Sequence, residues 1–144
     1  MTVIFGCGTP IRGDDAAGLR VAQRLRSLGI DARDHSGDGL ALLEAWRGLD
    51  SVILIDAVVT GRPPGEISVW DGGGAPVSGD LRRASSHFFG LAEAIQLARI
   101  LGRLPSRLTL YGIEASRFDA GSPPSLPVEA AIERLALRIA ASEG

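Results

Sequence analysis

The chain has 144 residues, 45% of them hydrophobic and 22% charged, with a formal net charge of −2. That length can bury a core of its own, so a single domain over residues 1–144 is expected; the near-neutral charge gives no electrostatic case for nucleic acid or an anionic membrane. One cysteine excludes an internal disulfide and a paired-cysteine metal site, and no apolar run spans a bilayer or follows a basic leader, which makes a cytoplasmic protein the expectation.

Val3, Ile4 and Phe5 form an apolar run of the kind seen in a strand buried on both faces. Gly6 and Gly8 then let the backbone turn tightly. From Asp14 the period changes: Leu19, Ala22, Leu25 and Leu28 recur at helical spacing, with Asp14 as the expected N-cap and Gly29 as the residue just past the end. Ile30 to Arg33 reads as a weak second strand, residues 35–39 as a loop, and Leu40 to Trp46 as a short helix.

Ser51 to Val59 carries Val52, Ile53, Leu54 and Ile55 without a polar break and is expected at the centre of the sheet. Residues 61–65, rich in Gly and Pro, turn the chain into Glu66 to Trp70 through a link too short for a crossover, so that strand should run antiparallel. A Gly-rich loop over 71–78 follows. Ser85 or Ser86 should cap a helix with Phe88, Leu91, Ile95, Ala98 and Leu101 on one face, ending at Gly102. Arg107 to Ile113 is the last strand and residues 114–125 a long loop. Pro127 suits the first turn of a final helix with Val128, Ile132, Leu135 and Ile139 facing the core.

Alternating strands and helices imply an α/β domain: three-layer α/β/α, with a twisted, mostly parallel five-stranded sheet and one antiparallel strand. Ligands of such sheets bind beyond the carboxyl ends of the strands. Asp15 follows the first strand, Asp56 closes the central one and His87 opens a later helix, so all three can meet at that rim.

Other chemistries fit less well. Gly6-Cys7-Gly8 lacks the third glycine of a dinucleotide fingerprint, since Ile11 stands there, and two aspartates at a helix start repel phosphate. No nucleophile elbow of the Gly-x-Ser-x-Gly type occurs, and Cys7 reads as a buried structural thiol. Carboxylates with an imidazole suit a divalent metal such as zinc or nickel. A helix N-terminus keeps His87 neutral and able to ligate, and it favours charged carboxylates. Taken singly, Asp14 reads as a cap, Asp15 as a first-turn acid, His35 and Asp38 as loop residues. Asp56, after four apolar residues, needs a partner.

Gly6-Cys7-Gly8, Gly13-Asp14-Asp15-Ala16-Ala17-Gly18, Ile55-Asp56-Ala57, Ser86-His87-Phe88-Phe89-Gly90-Leu91 and Leu108 to Glu114 occur in one ordered set. Together they resemble the hydrogenase maturation proteases. The resemblance covers essentially the whole chain. It implies an endopeptidase that removes the C-terminal extension of a nickel-iron hydrogenase large-subunit precursor after nickel insertion. It places the metal-contacting and catalytic positions at Asp15, Asp56 and His87. It implies no resident cofactor, with nickel supplied by the substrate, and the precursor as partner. The chain departs from the family pattern at Thr9, where Asn is usual, at Asp15, where Glu is common, and at Asp38, where Thr is common. A metal-dependent small-molecule hydrolase with its own zinc and a non-catalytic chaperone of the precursor are the alternatives.

Overall fold

The computed structural model describes residues 1–71 and 91–143. His87, Ser85, Ser86 and Phe88 lie outside the described residues, as does all but the first residue of the expected loop over 71–78. Five strands are described: β1 (Thr2–Cys7), β2 (Ala32–His35), β3 (Ser51–Val58), β4 (Ile67–Asp71) and β5 (Arg107–Glu114). The described helices are α1 (Ala17–Ser27), α2 (Gly39–Ala45), α3 (Leu91–Leu101) and α4 (Leu126–Glu143).

The strands form one sheet in the order β2-β1-β3-β5-β4. β2, β1, β3 and β5 are parallel, and β4 runs antiparallel to β5. The apolar run of β3 therefore sits at the centre, flanked on both sides, as its lack of a polar break demands. β4 has the expected direction, but the short link from β3 does not make a hairpin. β5 enters between the two, so β4 pairs with a strand that comes some 40 residues later in the chain.

Alternation along the strands divides the core in two. Val3, Phe5, Cys7, Val52, Leu54, Leu108 and Leu110 face Leu42, Trp46, Ile95 and Ala98 of the α2–α3 side. Ile4, Ile53, Ile55 and Ile113 face Val21, Leu25, Val128, Leu135 and Ile139 of the α1–α4 side. This is the expected three-layer arrangement.

Local chemistry sets the helix ends. α1 closes in a Schellman motif: Ile30 N–H donates to Leu25 O and Gly29 N–H to Arg26 O, with Gly29 at φ +84°. The residues that cover the core are Val21, Ala22 and Leu25, while Leu28 is exposed. Asp38 caps α2 by accepting from Ala41 N–H. His35 belongs to the end of β2 rather than to a loop. Asp14 is not a helix cap. A 3-10 turn, Gly13–Ala16, precedes α1, and Asp14 lies inside it with its carboxylate committed elsewhere.

Candidate functional site

Among the described residues the buried carboxylates are Asp14, Asp15, Asp56 and Glu114. All four stand at the carboxyl edge of the parallel strands: the 3-10 turn follows β1, Asp56 is near the end of β3, and Glu114 ends β5. Buried carboxylates are costly unless hydrogen-bonded or bound to a cation, so their gathering at one rim needs a cause for each.

Glu114 and Asp14 are held by residues far away in the chain. Glu114 Oε2 accepts from Thr60 N–H (2.8 Å) and Oε1 from the Thr60 hydroxyl, tying the β3–β4 turn to the end of β5. Asp14 Oδ2 accepts from the N–H groups of Ser116 (2.8 Å) and Arg117 (2.9 Å). Its Oδ1 accepts from Ser125 N–H (2.6 Å), and the Ser125 hydroxyl lies 3.0 Å from both oxygens. Burial works to raise the Asp14 pKa. The backbone donors of Ser116, Ser125 and Arg117 and the Ser125 hydroxyl outweigh it and hold the carboxyl below its ordinary range.

Asp15 and Asp56 are the two carboxylates that the sequence pattern selected. Asp15 is 7% exposed and Asp56 3%. The turn carrying Asp15 packs against β3 as well as α1. The fit is tight because two glycines allow it. A Cβ on Gly8 would strike the Asp15 carbonyl, and one on Gly18 would strike the carbonyls of Cys7 and Ile55. Asp15 is thus pressed onto the edge where β1 and β3 end.

Asp56 continues the Val52–Leu54 series, so alternation places its carboxylate on the α2–α3 side of the sheet. Its Oδ1 accepts from Ala57 N–H at 2.8 Å. Gly6 pairs with Ile55, which makes Cys7 the cross-strand neighbour of Asp56 on the same face. Burial, and then the Asp56 charge, push the Cys7 thiol well above its usual pKa. That supports the structural thiol and counts against a cysteine nucleophile.

Asp15 and Asp56 thus stand on adjoining elements, the 3-10 turn and β3, at the same rim. His87, the third expected residue, lies outside the described residues, four positions before α3 begins. His35 ends β2 opposite Cys7; its Nδ1 accepts from Gly37 N–H at 2.9 Å and its ring packs edge-on against that of Phe5. Asp38 is occupied as a cap.

Sequence reasoning missed the role of Asp14, the Ser116–Arg117–Ser125 cradle and the buried Glu114. No local pattern marks them, because their partners are 54 to 111 residues away. It also missed Ile11, which sits at φ +55° and is 73% exposed. That is an unfavourable conformation for a β-branched residue. Beside it runs a groove of about 600 Å³, walled by Pro10, Ile11, Leu19, Gln23, Pro123 and Pro124. The two acids are not among the groove's lining residues.

A family model described as hydrogenase maturation protease matches residues 34–142. The chain is 29% identical over 136 residues to the hydrogenase expression/formation protein HupD of Rhizobium leguminosarum bv. viciae, over 90% of this chain and 67% of that protein. Against the hydrogenase expression/formation protein HupD of Thiocapsa roseopersicina it is 27% identical over 122 residues, covering 81% of this chain and 55% of the relative. The chain thus spans between about half and two thirds of the length of these curated relatives. The hydrogenase maturating endopeptidase HybD of Escherichia coli has the same fold, with a TM-score of 0.79 at 24% identity, over 98% of this chain and 90% of that one.

Proposed function

Because the chain belongs to the hydrogenase maturation protease family, we propose that it is an endopeptidase that removes the C-terminal extension of a nickel-iron hydrogenase large-subunit precursor after nickel insertion. The observation that carries this reading is the pair of buried carboxylates, Asp15 and Asp56, on adjoining elements at the carboxyl edge of the sheet. Two such charges in a poorly solvated place favour a cation.

In this reading the nickel arrives with the substrate, and the protein holds no cofactor of its own. The ion docks against Asp15, Asp56 and His87, leaving positions for a scissile carbonyl or a water. Water adds to the polarised carbonyl carbon, the C–N bond breaks, and the proton passes to the departing amine. No protein nucleophile takes part, which agrees with the buried and protonated Cys7. Precursor without nickel cannot complete the site and is left uncut. Among the described residues no helix is long and apolar enough to cross a membrane.

The test is conversion of nickel-loaded precursor to the shorter mature subunit, followed by mass spectrometry. The protein should convert it, and Asp15→Asn and His87→Ala should leave it intact while keeping the folded circular-dichroism spectrum. Normal conversion by either variant would refute the assignment.

A further inference from the structure

Asp14 adjoins Asp15 in the same turn, yet its carboxylate serves other partners. Its donors come from the exit of β5, at Ser116 and Arg117, and from Ser125, the residue before α4. Backbone bonds run beside them: Gly13 N–H to Ser122 O (2.9 Å), Asp14 N–H to Arg117 O (2.6 Å) and Gly121 N–H to Ile11 O (2.7 Å). A Cβ on Gly13 would collide with the Arg117 carbonyl, so the two backbones are in direct contact.

Residues 115–125 have no helix or strand of their own to set their path. The carboxylate supplies what the segment lacks, one anionic anchor that accepts from both of its ends. The bond works in both directions. The segment also fixes the turn, and the turn carries Asp15. Charge-assisted bonds to backbone N–H groups are about twice as strong as neutral ones, and none of these partners is a long mobile side chain.

We propose that Asp14 is a positioning residue for the cleavage reaction. By binding Ser116, Arg117 and Ser125 it holds the 3-10 turn, and with it the Asp15 carboxylate, in place beside Asp56. The proposal rests on the function proposed above. Asp14 itself touches neither substrate nor metal.

The test compares the parent protein, Asp14→Asn and Leu135→Ala in cleavage of nickel-loaded precursor, at a temperature where all three are folded. Asp14→Asn keeps the size of the side chain but turns amide hydrogens toward N–H donors. Leu135→Ala weakens the α1–α4 core without touching the turn. Asp14→Asn should slow cleavage by about 10- to 100-fold, as loss of a group supporting a metal-contacting residue does, while Leu135→Ala keeps the parent rate. In parallel, the carboxyl-carbon resonance of Asp15 should shift in Asp14→Asn and stay in place in Leu135→Ala. Parent-like cleavage by Asp14→Asn, equal losses in both variants, or an unmoved Asp15 resonance overturns the proposal. If Asp14→Asn does not fold, Ser125→Ala, which removes only the hydroxyl donor, takes its place. It should show a smaller fall in rate and the same resonance shift, and the absence of both overturns the proposal. If the parent protein does not cleave precursor, the functional reading falls, and the resonance shift alone then decides whether Asp14 positions Asp15.

Discussion

Gly18→Ala should destabilise the fold by pushing α1 off the edge of the sheet. Gly18 is the second residue of α1. A Cβ there would collide with the carbonyl oxygens of Cys7 and Ile55 and lie 2.8 Å from Cys7 N. The overlap with both carbonyls is about 1 Å, and neither oxygen can swing aside, because both belong to sheet backbone. The helix must lift instead. Overpacking of this kind costs about 1–3 kcal/mol, and a backbone obstacle puts Gly18 at the upper end. Better helix propensity of Ala returns at most about 1 kcal/mol, for a net loss of about 2 kcal/mol. At this chain length that lowers Tm by roughly 6 °C. Thermal and urea unfolding of the parent, Gly18→Ala and Gly29→Ala would measure it. Gly29 is the reference, with no atom within 4 Å of its Cβ position and only its φ of +84° opposing a side chain. The same lift would move Asp15 away from Asp56, so cleavage should fall even where Gly18→Ala is folded. A Gly18→Ala protein as stable as the parent would refute the close approach of α1 to the sheet.

Three further outcomes follow from buried groups. Asp14 has a depressed pKa in the folded state, so its contribution to stability is present above the unfolded value of about 3.9 and disappears as pH falls through the lower folded value. The urea-midpoint gap between the parent and Asp14→Asn should hold steady down to about pH 5 and shrink below about pH 4; a gap that widens in acid contradicts the hydrogen-bond pattern. Cys7, raised by burial and by Asp56, should react with a disulfide reagent at mild alkaline pH only after urea is added. Rapid labelling of the native protein would place the thiol at the surface. Thr60→Val removes a donor from the buried Glu114 carboxylate and should cost about 1–3 kcal/mol in chemical unfolding. An unchanged midpoint would show that the turn is not held by this bond.

The periodic and apolar signals in the chain were enough for the three layers, the central place of β3 and the mostly parallel sheet. Those features depend on which faces must leave water, and residue spacing records that directly. Asp56 stood out for the same reason, as a carboxylate closing an unbroken apolar strand, and Asp15 as an acid in the turn behind a glycine loop. Other features come from contacts between residues far apart in the chain. β5 enters between β3 and β4, which no local spacing encodes. Asp14 looks like a helix cap in its own neighbourhood, yet its donors lie 102 to 111 residues downstream. Glu114 reads as the start of a loop, and the tertiary fold makes it the anchor of the β3–β4 turn. Sequence pattern specifies which side chains are buried; only the folded chain specifies which distant donors reach a buried charge, as Ser116, Arg117 and Ser125 reach Asp14 and Thr60 reaches Glu114.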